Sequence, residues 1–265
     1  MTAMKNTVLI TCFLMLFSAV AAAQTEPLSE SERERKEELL GLHYVPATFK
    51  SFAQLSWRYN LHKTSNDEAI DRYIKIINCD LHRSYYGNDF LWQRIREGMR
   101  REIQYFSPSF PDRFELTGGI EIGRYDFRRS AFILPDKYKL SRAGYIRLPT
   151  EDAYETECSF PGSRTIFPVA MQVAAENPFT FEEIPISPDE AKPLLERLAK
   201  YRYRNVKTNR MAMLRIRLKI TGIRHYSNST LSPSLTYRGQ LDELAVFEDP
   251  EMTKPIWIKN FKDLN

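Results

Sequence analysis

The sequence predicts an α+β protein, with a helical N-terminal region packed on an antiparallel, sandwich-like β-sheet and one helix inserted among the strands. Three observations carry that expectation. Apolar residues recur at helical spacing up to about Gln104, then alternate beyond Ser107-Pro108-Ser109-Phe110-Pro111. Strand–turn–strand units follow that switch, and no repeated βαβ pattern argues for a parallel sheet. Hydrophobic content of 43% and charged content of 27% fit a folded core rather than wholesale disorder.

The chain opens on an export signal. Lys5 supplies a positive start, Val8 to Val20 is a thirteen-residue apolar run, and Ala21-Ala22-Ala23 gives the small-x-small pattern of a cleavage site before Gln24. The run is too short to span a bilayer, which needs about 20 apolar residues, and no later segment approaches that length. Cys12 lies in the middle of the run behind Thr11, so it reads as a discarded signal residue and not as a lipid anchor. Removing residues 1–23 takes one lysine and no acid, lowers the formal net charge from +4 to +3, and leaves 242 residues. The expected location is therefore outside the cytoplasm, periplasmic or secreted.

Residues 24–106 form the expected helical region. Glu26 to Leu40 is dense in charge and lacks an apolar stripe until its end, which reads as a solvated arm. Thr48 to Tyr59 places Phe49, Phe52, Leu55 and Tyr59 on one side of a helix. Ser65-Asn66-Asp67-Glu68 has the pattern of a capping box, and one helix is expected to follow it with Ile70, Tyr73, Ile74, Ile77 and Leu81 as its stripe. A third helix is expected from Gly87-Asn88 to Gln104, burying Leu91 or Trp92, then Ile95, Met99 and Ile103, with Gly98 weakening it by about 1 kcal/mol.

Residues 107–265 form the expected β-rich region. Phe114, Leu116, Ile120 and Ile122 alternate with polar residues, and Gly118-Gly119 reads as a bulge or bend. Tyr125 to Ile133, Tyr145 to Leu148, Thr165 to Ala174 and Phe179 to Ile186 are further extended stretches. A helix is expected near 188–200, capped by Ser187 with Pro188 in its first turn, although Pro193 argues for a cap at Asp189 or a kink. Leu214, Ile216, Leu218 and Ile220 alternate with Arg215, Arg217, Lys219 and Thr221, as in an antiparallel strand with one aliphatic and one wet face. Leu241 to Glu248 and Pro255 to Ile258 complete the strands.

Chemistry is sparsely signalled. The sequence lacks a G-x-S-x-G elbow, an S-x-x-K, an H-E-x-x-H, a P-loop and a G-x-G-x-x-G, so no cofactor or metal site is expected. Cys79 and His82 lie three apart on a helix and suit a metal half-site or a thiolate–imidazolium pair. A structural cysteine is the simpler reading. In an oxidising compartment Cys79 and Cys158 are expected to pair, closing a loop of about 80 residues worth about 4.5 kcal/mol, with free thiols or an intermolecular bridge as alternatives.

Between Arg197 and Arg224 stand ten basic residues and no acid, interleaved with Tyr201 and Tyr203. Arg202, Arg204, Arg215, Arg217 and Lys219 are therefore candidate contacts for an anionic envelope component or an acidic protein, while export argues against nucleic acid. The competing reading is internal balance, with Glu182-Glu183, Asp242-Glu243 and Glu248-Asp249 pairing across strands. The expected function is a non-enzymatic binding or envelope-associated role, with a hydrolase of dispersed active site as the alternative.

Overall fold

The computed structural model describes residues 43–149, 166–168, 170–200, 210–227 and 234–261. The predicted signal, the charged arm, Cys158, Arg202 and Arg204 lie outside those residues. The α+β class holds, with its helices concentrated toward the N-terminus.

A short strand β1 (Val45–Pro46) precedes helix α1 (Phe49–Arg58). Thr48 caps α1 reciprocally with Ser51, satisfying donors that the first turn leaves open. Helix α2 (Asp67–Ile77) is capped by Asn66, whose side chain accepts from Ala69, and not by Ser65. The apolar stripe expected to continue to Leu81 is broken at Asn78. Its backbone leaves the helical region, and its side chain accepts from Leu81 to start a separate helix α3 (Cys79–Tyr85). Helix α4 (Asp89–Phe106) is capped by Asn88 and buries Trp92, Met99 and Ile103, which decides for Trp92 over Leu91. These four helices share a core in which Trp57, Tyr73 and Phe110 meet Phe167.

The strands form two sheets. In the larger, β2 (Arg113–Glu121), β8 (Met211–Ser227), β9 (Ser234–Phe247), β6 (Ala170–Phe181) and β5 (Leu140–Pro149) follow one another from β1, and β10 (Pro255–Asn260) pairs with β9. The smaller contains β3 (Tyr125–Asp126), β4 (Ala131–Ile133) and β7 (Glu183–Pro185). The larger sheet, expected to be antiparallel, is mixed: most of its pairings are antiparallel, but β1 runs parallel to β2 and β6 runs parallel to β9. Of the bulge or bend expected at Gly118-Gly119, the bulge is ruled out, since pairing with β8 continues through both glycines without a shift. A Cβ at Gly239 would lie 2.5 Å from Val173 Cγ1, so glycine is what lets β9 and β6 run side by side there.

Helix α5 (Pro188–Leu198) is capped by Ser187 and passes through Pro193 despite the missing donor. It buries Ala191, Leu194 and Leu198 in a core shared with Phe132 and Ile184 of the small sheet and Leu244 and Val246 of the large one. A second sheet core joins α1 to the strands, with Phe52 and Leu55 against Phe114, Leu218, Ile220 and Tyr237.

The stretch of β8 from Arg215 to Ile220 carries buried residues on both faces. Leu218 and Ile220 are each 1% exposed, yet on the opposite face Arg215 is 2% and Arg217 is 7% exposed. Leu218→Ala should cost about 2–5 kcal/mol by opening a cavity. Arg217→Ala should also cost about 2–3 kcal/mol, because Glu115 loses the cation it accepts from and the buried Glu243 loses a neighbouring charge. Denaturant midpoints check both: an arginine variant as stable as the parent would place Arg217 in water.

His62 lies beside Trp57 and has its ring centroid 4.7 Å from that of Phe167. Burial holds its pKa at about 4, against an ordinary value of 6.5. The unfolded chain therefore binds this proton at a higher pH than the folded one, and stability present above 6.5 is lost as the pH falls toward 4. His62→Gln should flatten that part of the stability profile, read from urea midpoints at about pH 7.5 and about pH 5. An unchanged slope would assign the acid sensitivity to other groups.

Candidate functional site

The row of basic residues on β8 does not form a wet face. Arg217 sits in register between Glu115 of β2 and Glu243 of β9, and its Nε donates to Glu115 Oε2 at 2.6 Å. Arg215 Nε donates to Glu243 Oε1 at 3.0 Å and lies 3.9 Å from Glu115 Oε2, with its guanidinium over the Phe247 ring. Close by, Asp242 accepts from Tyr44 at 2.6 Å and from Arg113 at 2.7 Å, while Arg217 covers the Tyr44 ring. Burying charges is costly unless each is paired and hydrogen-bonded, and these are. Arg215 and Arg217 thus serve internal balance and are withdrawn as contacts for an anionic partner. Lys219 differs: it is half-buried and faces Arg113 and Gln240 across the strands.

A cleft lies among the helices. It has a volume of about 640 Å³ and is built from α2, α3 and α4. Three acids line it, and each is engaged by an arginine. Asp71 accepts from Arg96 Nε at 2.6 Å and Arg96 Nη2 at 2.5 Å, a two-point fork, and from Trp92 Nε1 at 2.8 Å. Asp67 pairs with Arg100 and lies 3.4 Å from Arg96, and Glu68 pairs with Arg72 at 3.1 Å. Spacing explains the convergence. Asp67 and Asp71 are four apart on α2, Arg96 and Arg100 are four apart on α4, and each pair presents one helical face.

An aromatic wall closes one side. His82 stacks on Tyr86 at 4.5 Å with an interplanar angle of 18°, and both rings meet Trp92 edge-on at 5.5 and 5.2 Å. Trp92 is buried, while Tyr86 is 49% exposed. Burial, helped by the Lys75 charge and opposed by Asp71, lowers the His82 pKa, so the imidazole is neutral near neutral pH. The lining cations Arg72, Lys75 and Arg96 equal the three acids in number. Among the described residues the cleft is therefore close to neutral in total and rich in fixed donors, with no serine, threonine or cysteine in its lining.

Of the Cys79–His82 pair, only His82 reaches this cleft, with its ring turned onto Tyr86 and Trp92. Cys79 opens α3, and Arg83 Nη2 lies 3.6 Å from its sulfur. Among the described residues no group of three or more His, Cys, Asp or Glu could hold a metal ion, and no helix is long and apolar enough to cross a membrane. Sequence reasoning missed Asp67, Asp71 and Arg96, although the two complementary i, i+4 charge pairs were readable.

Residues 65–197 match the family described as "Domain of unknown function (DUF4852)", which is half of the chain, and the chain belongs to that family. Every described residue lining the helical cleft falls inside the matched stretch. No curated protein and no solved structure matches the chain.

Asp71→Asn keeps the shape of the side chain but removes the charge that holds Arg96 and the Trp92 indole. Hydrogen bonds to charged groups are worth about 1.5–3 kcal/mol, so this change should cost about 2 kcal/mol and shift the Trp92 emission. Unchanged fluorescence together with an unchanged denaturation midpoint would contradict the fork.

Proposed function

We propose that this member of the DUF4852 family is an exported, non-enzymatic binding protein that takes an uncharged polar ligand with one apolar face, of the carbohydrate class, in the cleft among α2, α3 and α4. The observation that carries this reading is the combination of an aromatic wall with a charge-balanced rim of fixed donors and acceptors. Aromatic rings favour the apolar face of a ring ligand, and oriented guanidinium and carboxylate groups suit hydroxyls, which both donate and accept. A rim with three cations and three acids offers little net attraction to an ion. Acids that already accept from arginines are poorly placed to move protons, which supports binding over hydrolysis.

Export rests on the N-terminal pattern of Lys5, the apolar run and Ala21-Ala22-Ala23. The disulfide-bonded state of Cys79 supports a Cys79–Cys158 bridge, which suits an oxidising compartment. In exported material the chain should begin at Gln24 and carry no free thiol, and intact mass before and after reduction checks both.

The ligand reading is tested by titrating the mature chain with a panel of neutral and charged saccharides while following tryptophan emission. Neutral saccharides should bind with little salt dependence. Tyr86→Ala should weaken binding at least tenfold with little change in melting temperature, because half of that side chain is already in water. Turnover of any saccharide, or binding that survives Tyr86→Ala unchanged, would overturn the proposal.

A further inference from the structure

The structure assigns a second, independent site: we infer that the cleft between α1, the start of β2 and the middle of β8 binds the oxyanion group of a small organic acid, a carboxylate or a phosphate. This cleft has a volume of about 540 Å³ and does not share a lining residue with the helical one. Arg113 and Lys219 both line it and stand directly opposite one another on β2 and β8, with Gln240 of β9 on the other side of Lys219. Like charges placed in this way destabilise a sheet unless something offsets them. Two positions inward along β8, the equivalent row is Glu115–Arg217–Glu243, in which an acid flanks the cation on each side. At Lys219 neither cross-strand neighbour supplies a carboxylate.

The other cations of the cleft are tied down without being used up. Arg58 donates to the Phe110 carbonyl and, at 2.8 Å, to Asp112. Arg113 donates to Asp242 at 2.7 Å. A guanidinium carries five donors, so each retains N–H groups for a ligand while its partners fix its direction. Arg58, Arg113 and Lys219 thus face the cleft, with Asp112 as the one acid among the described residues of its lining, and His43 and Ser109 add polar groups. After Asp112 is set against Arg58 and Asp242 against Arg113, Lys219 remains as a surplus positive charge. A single oxyanion bridging Lys219 and Arg113 would remove both the surplus and the like-charge contact. The volume exceeds that of a bare phosphate, so the ligand carries the anionic group on an organic body.

The test titrates the mature chain with glucuronate, glucose 6-phosphate, glucose and inorganic phosphate, following backbone amide shifts by NMR. Shifts should concentrate at Ser109, Asp112 and Arg113 for the acidic sugars, with glucose producing none there. Affinity should fall as salt rises, since the attraction is electrostatic. The carboxylate and phosphate arms then identify which oxyanion is preferred. Lys219→Gln should weaken binding at least tenfold, Lys219→Arg should retain most of it, and Tyr86→Ala should leave it unchanged, which separates this site from the helical cleft. Absence of shifts with every anion, equal response to glucose, or parental affinity in Lys219→Gln would overturn the inference.

Discussion

The rest of the structure depends on a ladder of opposite charges buried at the centre of the large sheet. Glu115, Arg217 and Glu243 stand side by side on β2, β8 and β9, with Arg215 one step along and Asp242, Arg113 and Tyr44 at the flank. Desolvating such groups is expensive, and only close pairing offsets it. That requirement bears on strand register. A one-residue slip of β8 would turn Arg215 and Arg217 toward the aliphatic core and Leu214, Ile216 and Leu218 toward Glu115 and Glu243. The same strand therefore supplies the hydrophobic floor for α1 and the electrostatic spine behind it.

This arrangement redirects the search for function. Ten basic residues without an intervening acid look like a docking face along the chain, but two of those central to the strand are consumed inside the sheet. The two clefts that matter differ in charge balance. Among the helices, acids and cations match, and an aromatic wall supplies the apolar contact. At the end of the ladder the alternation of signs stops, and Lys219 lies between Arg113 and Gln240. The proposed preferences, an uncharged ring in one and an oxyanion in the other, follow from that difference.

Much of the fold was legible in the sequence. Helical spacing in Phe49, Phe52 and Leu55 located α1, the run from Trp92 to Ile103 located α4, and Ser187-Pro188 located the start of α5. What local pattern could not supply was pairing. The break at Asn78 depends on a side-chain cap competing with helix propagation inside an unbroken apolar stripe. The parallel contact of β6 with β9 depends on Gly239 admitting Val173, a long-range approach with no local signature. The alternation of Leu214 to Thr221 reads correctly as a strand, and of the two readings of its charged face, a wet docking row or internal pairing across strands, Arg215 and Arg217 follow the second. Glu115 sits about 100 residues away, and nothing in either segment announces the other. Asp67 and Asp71 against Arg96 and Arg100 were closer to readable, because both pairs obey helical spacing with opposite signs.

A double-mutant cycle on Glu115 and Arg217 tests the ladder most directly. Equilibrium unfolding of Glu115→Gln, Arg217→Met and the double variant isolates the energy that the two side chains share. The account predicts a coupling of about 1.5 kcal/mol or more, as expected for directly hydrogen-bonded residues in one buried network. Effects that add to within about 0.5 kcal/mol would contradict it and return Arg217 to the solvent-facing row that its sequence pattern suggests.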